Sequence, residues 1–171
     1  MQINSTQAIG LLSFVSAALA AATAFGVAGQ GRRSGRRTWA IIASIYVLLA
    51  VEVFAMTRHQ FNRVIGGWLK IEGSYAERGR AQVVLLIITV VLAALITGRV
   101  VLRAPTRRLS IARGSTAAIV ALFAVESVSL HASDAILYQS IGPVLLIGWL
   151  WFLCGFTTAA AARPGLSSPR S

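Results

Sequence analysis

The sequence predicts an all-α integral membrane protein: a five-helix transmembrane bundle with an interfacial amphipathic helix between spans two and three. Three observations predict it. Five apolar stretches follow one another, each close to the roughly 20 residues that a helix needs to cross a bilayer. Only 12% of the residues are charged, about half the share usual in a soluble domain. The mean hydropathy is +0.73, and most of the charges lie between the apolar stretches. A chain of 171 residues then makes one polytopic membrane domain, 1–171, without a second globular unit.

The first span covers 8–28. Its small residues Ser13, Ser16, Ala17, Ala20, Ala21 and Ala24 allow close approach of neighbouring backbones. No basic residue precedes it, as a secretory signal requires, so the span is expected to be retained. Asn4-Ser5-Thr6 has the spelling of a glycosylation sequon but sits against the membrane. A glycine- and arginine-rich loop over 29–37 leads to the second span, 39–57. Beyond it, Phe61, Ile65, Trp68 and Leu69 recur at helical spacing, with Asn62, Arg63 and Lys70 on other faces. That pattern reads as an amphipathic helix on the outer leaflet, or as a lid over the bundle. Ser74 and Glu77 form an S-x-x-E capping box before the third span, 81–101. The fourth covers 116–136. The fifth covers 143–162, with Pro143 suited to a first helical turn. The segment 163–171, with Pro164 and Pro169, reads as a disordered cytoplasmic tail.

The net charge is +11, from 16 basic and 5 acidic residues. In a soluble protein this would suggest nucleic acid. Between apolar spans it points to the lipid bilayer and its anionic headgroups instead, with Arg32, Arg33, Arg36, Arg37, Arg107 and Arg108 as the contacts. One side also holds Arg99, Arg103, Arg113, Arg163 and Arg170. The other holds Arg58, Arg63, Lys70, Arg78 and Arg80, partly balanced by Glu72 and Glu77. The positive-inside rule places the first set in the cytoplasm, with the N-terminus outside and the C-terminus inside. Lys70 is the only lysine, a bias typical of GC-rich bacterial genomes, so the expected location is a bacterial inner (plasma) membrane. Cys154 alone permits neither an intramolecular disulfide nor a cysteine-rich metal site.

Glu52 and Glu126 stand inside apolar spans, where a charged residue costs about 2.5–3.5 kcal/mol on insertion scales. Both should face the bundle interior. His59 follows Glu52 by seven residues, near two turns. His131 follows Glu126 by five, and Asp134 follows His131 by three. Spans two and four run in the same direction, so the acids form one layer and the histidines another, about 7–11 Å nearer the outer surface.

Glu52, His59, Glu126, His131 and Asp134 suit a transition metal such as Fe, Mn or Zn, although a carboxylate-bridged bundle site favours Glu-x-x-His spacing. His59 and His131 suit the axial positions of haem b. The acids alone suit proton or cation handling. Tyr75, Arg78, Gln82 and Tyr138 lie at a level to join as ligands or supporting contacts. A purely structural role fits as well: each acid then needs a local hydrogen bond, from Ser127, Tyr46 or facing backbone. Trp149, Trp151 and Phe152 read as packing or lipid contact.

No P-loop, G-x-S-x-G or H-E-x-x-H pattern occurs. The expectation is a metal or haem site near the outer leaflet, supporting redox or hydrolytic chemistry on a lipid-soluble or periplasmic substrate. The alternative is a small transporter or proton-handling protein, or a non-catalytic accessory subunit bound to a membrane-protein partner.

Overall fold

The computed structural model describes residues 4–27, 33–55, 78–128 and 135–163. Helix α1 (Ser5–Val27) starts where Asn4 and Gln7 cap each other. The Gln7 N–H donates to Asn4 Oδ1 at 2.8 Å, and the Asn4 N–H donates to Gln7 Oε1 at 3.1 Å. This reciprocal pair satisfies two donors that a helix start leaves unpaired. Asn4, spelled as a sequon, is a helix cap. Helices α2 (Arg33–Ala55) and α3 (Arg78–Leu102) follow.

Helix α4 (Arg107–Val128) begins at Thr106, whose Oγ1 accepts the Leu109 N–H at 3.3 Å. That cap explains why the helix starts nine residues before the predicted span at 116. The short link from Leu102 to Arg107 makes α3 and α4 antiparallel neighbours. Helix α5 spans Leu146–Ala162.

The fifth segment corrects the sequence reading. Pro143 does not open a helix. It follows Gly142 in the loop of a two-stranded antiparallel hairpin, β1 (Ser140–Ile141) and β2 (Val144–Leu145). Gly142 has φ +66°, the conformation that glycine adopts most readily at the first position of a II′-type hairpin loop. Pro143, with no N–H, fits the second. The chain is thus mostly helical rather than all-α, and α5 begins three residues late.

Among the described residues, four helices are long and apolar enough to cross a membrane: Ser5–Val27, Gly35–Ala55, Val83–Leu102 and Arg107–Ser127. They suggest a multi-pass membrane protein. Helix α5 is as apolar but has 17 residues, about 26 Å at 1.5 Å per residue, and the hairpin continues its segment. The amphipathic segment 61–70, the 74–77 capping box, span four beyond 128 and the tail beyond 163 lie outside the described residues.

Small residues decide how the helices meet. α1 packs on α2 and α5, α5 on α4, and a lighter α2–α4 contact closes a ring of four. A Cβ on Gly10 of α1 would lie 2.6 Å from Trp151 Cε3, and one on Gly155 of α5 would lie 2.9 Å from the Ser13 carbonyl oxygen. Ser13 Oγ also donates to the Trp151 carbonyl at 2.9 Å. Such contacts let two backbones approach in the absence of a hydrophobic drive between helices in lipid.

Inside the ring, Phe14, Tyr46, Phe123 and Trp151 form one aromatic cluster with neighbouring centroids 5.4–5.9 Å apart. Below it, Tyr46 Oη lies 2.7 Å from Thr158 Oγ1, which lies 2.6 Å from Ser115 Oγ. This hydroxyl chain ties α2, α5 and α4. Helix α3 packs on α4 outside the ring, and its apolar side chains from Val83 to Ile96 are largely exposed.

Candidate functional site

Helices α1 and α5 run parallel to each other and opposite to α2 and α4, so the two ends of the bundle differ in chemistry. One end gathers the start of α1, the ends of α2 and α4, the hairpin and the start of α5. There a small cavity of about 80 Å³ is lined by Glu52 and Val53 of α2, Glu126 of α4, and Asn4, Thr6 and Gln7 at the start of α1. Tyr138, Leu145, Ile147 and Trp151 complete it. Glu126 is buried, and its Oε1 accepts a hydrogen bond from Tyr138 Oη at 2.9 Å. Glu52 is half-buried. Thr6 Oγ1 accepts the Leu145 N–H at 3.1 Å, which fixes the start of α1 to the hairpin.

The electrostatics follow from this layout. The starts of α1 and α5 line the cavity, and helix N-termini carry partial positive charge. They face two carboxylates. The polar lining consists of carboxylate, hydroxyl and amide groups, whose oxygens suit small hard cations better than soft ones. The volume admits a small ion with a few waters. It lies well below the roughly 300–1,000 Å³ of a pocket for a drug-sized ligand.

Among the predicted site residues, the structure brings Glu52, Glu126 and Tyr138 together. His59, His131, Asp134 and Tyr75 lie outside the described residues. Arg78 and Gln82 fall on the first turns of α3, with side chains outside the described set. Among the described residues, no three His, Cys, Asp or Glu side chains come together. Of the expected structural partners, Ser127 donates to the Phe123 carbonyl at 2.8 Å and Tyr46 Oη bonds Thr158. Among the described residues, Tyr138 donates to Glu126. Sequence reasoning missed Asn4, Thr6 and Gln7. The N-x-x-Q capping pattern before the first apolar run was the available signal. Of the three aromatics read as packing or lipid contact, Trp151 is in the core and Trp149 and Phe152 are exposed.

The opposite end holds Arg36, Arg37, Arg99, Arg103, Arg107, Arg108, Arg113 and Arg163, and several contact the protein itself. Arg108, read as a headgroup contact, donates from Nε to the Ala161 carbonyl at 3.0 Å and from Nη2 to the Ala162 carbonyl at 2.9 Å and to the Arg163 carbonyl. It caps the C-terminus of α5. Arg113 reaches Thr38 Oγ1 of α2 at 2.8 Å, and the Val100 and Arg103 carbonyls at the end of α3 at 3.4 Å. The Arg36 guanidinium lies 4.4 Å from the centre of the Phe25 ring, a cation–π pair. Arg37 and Arg107 are exposed. Arg32 and the side chain of Arg33 lie outside the described residues.

Fold and site together define a class: a mostly helical protein, with helices apolar and long enough to suggest several membrane passes, a carboxylate-lined cavity at one end and an arginine-capped face at the other. No protein-family model, no curated protein and no solved structure matches the chain.

Proposed function

We propose that this protein binds a small cation between Glu52 and Glu126, in a five-span bundle of the bacterial inner membrane, with the cavity toward the outside. The observation that carries the reading is that two acids from helices far apart in sequence line one small cavity. Two acids that share one small cavity offer oxygen ligands from two helices to a single cation. The candidates are a metal ion held by oxygen ligands and a proton shared by the pair. A transition-metal site would draw its remaining ligands from His59, His131 and Asp134. The orientation is supported by the arginines at the opposite end, which the positive-inside rule assigns to the cytoplasm.

The test is direct. Purified full-length protein is analysed for bound metal and melted with and without Mn²⁺, Zn²⁺, Mg²⁺ or Ca²⁺. A ligand at about 100 times its Kd stabilises by about 2.7 kcal/mol. The expected result is a rise in Tm with at least one ion, abolished in Glu52→Gln and in Glu126→Gln. Protein that holds no metal and melts identically in every ion excludes the metal form. Proton uptake upon solubilisation that is unchanged in both variants would then exclude the proton form. Reporter fusions at the two termini test the five crossings, which require opposite sides.

A further inference from the structure

We infer that, among the described residues, the Glu52–Glu126 cavity is entered from the hairpin end, through a door formed by 135–141 and latched by Tyr138, and that it is closed toward the arginine face. The inference adds an entry route to the cation reading and rests on that reading only for the identity of what enters.

The inner wall is the aromatic cluster. Phe14 and Tyr46 are 0% exposed, Trp151 3% and Phe123 8%. Trp151 itself lines the cavity. Rings packed this closely leave no space for a water file between the cavity and the hydroxyl chain of Tyr46, Thr158 and Ser115. A hydrated ion therefore meets a dead end. This arrangement suits binding or sensing on one side and opposes conduction through the bundle.

The outer wall is built unevenly. Strand β2 is fixed: Val144 is buried, a Cβ on Gly148 would meet its Cγ1 at 2.8 Å, and the Leu145 N–H is held by Thr6. The arm leading into β1 is different. From 135 to 141 only Leu137 is buried. Among the described residues, the arm is tied by the Tyr138–Glu126 bond, by Trp149 Nε1 donating to the Ile141 carbonyl at 3.2 Å, by the Leu146 N–H donating to the Gln139 carbonyl at 2.8 Å, and by two residues of pairing with β2. Gly142, with its positive φ, sits where such an arm would pivot. Segments with few buried apolar contacts and exposed hydrogen bonds open at the lowest free-energy cost. Tyr138 is both a cavity wall and a polar tie from the arm to α4. Its release opens the cavity to water on the hairpin side.

The experiment is thiol labelling of the full chain in sealed vesicles of both orientations. Val53→Cys, in a Cys154→Ala background, places a reporter in the cavity wall, and Ile147→Cys on α5 is a second reporter should the first not fold. The probe is a small, membrane-impermeant methanethiosulfonate. The expected result is reaction from the hairpin face and background reaction from the arginine face. Tyr138→Phe should raise the hairpin-side rate by about fivefold, the factor for one hydrogen bond of ordinary net strength. Equal reaction from the two faces, reaction from the arginine face alone, or a hairpin-side rate unmoved by Tyr138→Phe overturns the proposal. Labelling does not depend on cation affinity, so the two readings fail separately.

Discussion

At the arginine end of the bundle, cationic side chains meet helix C-termini. At the hairpin end, two carboxylates meet helix N-termini. Both arrangements complement the helix dipoles, yet they use charge differently. Arg108 spends its donors on three carbonyls of one helix end, and Arg113 on two more and the Thr38 hydroxyl. Those charges hold helices together. Glu52 and Glu126 line a space large enough for an ion. The comparison teaches that burial of charge does not by itself mark a site. A charge bonded to backbone carbonyls is part of the scaffold, while two acids lining one cavity make a place where a cation can bind.

The largest expected effect comes from breaking what both ends share. Gly155→Leu drives a side chain into the Ser13 backbone, where even a Cβ would lie 2.9 Å from a carbonyl oxygen. Overpacking of this kind costs about 3 kcal/mol, and the α1–α5 contact supports the cavity and the ring alike. Tm in detergent should fall by more than about 6 °C, with loss of the cation-dependent shift. A variant that keeps both would show that the close approach is not essential.

Next is the arginine end alone. Arg108→Met removes the charged cap and leaves the α5 carbonyls without it. Hydrogen bonds to charged groups are worth about 1.5–3 kcal/mol, so a loss near 2 kcal/mol is expected, with partial recovery in Arg108→Lys. Cation binding at the far end should persist, measured as an unchanged Tm increment with ion. If Arg108→Met instead leaves Tm unaltered, the arginine faces lipid headgroups as the sequence suggested.

Third is the hydroxyl chain. Thr158→Val keeps the volume and removes the link between Tyr46 and Ser115. Ser115 retains the Ile111 and Ala112 carbonyls, and Tyr46 retains that of Cys154. The cost should therefore stay near 1 kcal/mol, the net value of one satisfied hydrogen bond. A loss above about 3 kcal/mol would mean that the chain acts as one cooperative network.

The long helices were legible because lipid offers no partner for backbone groups, so the span length appears directly as apolar runs. The level shared by Glu52 and Glu126 was legible too, since two helices running the same way set depth by residue count. Three features were not. The Ile141-Gly142-Pro143-Val144 hairpin and a proline-started helix share a spelling, and only the φ of Gly142 separates them. Asn4 fits a sequon and a capping box equally until Gln7 is seen to answer it. The arginines were read by number and side, a statistical property of loops. Whether one of them touches a phosphate or the Ala161 carbonyl depends on where another helix ends.

The smallest expected change in stability is the sharpest test of the comparison. Glu126→Gln keeps the size of the side chain and a carbonyl oxygen able to accept from Tyr138. It removes one of two negative charges from a shared cavity. If the acid serves a ligand, stability without ion should hold within about 0.5 kcal/mol, or rise slightly as like-charge repulsion is relieved. The ion-dependent increment in Tm should vanish. Arg108→Met has the opposite signature: lower stability with the increment intact. Should Glu126→Gln cost as much as the arginine change, its carboxylate would be part of the scaffold, and the two ends would differ in sign of charge but not in role.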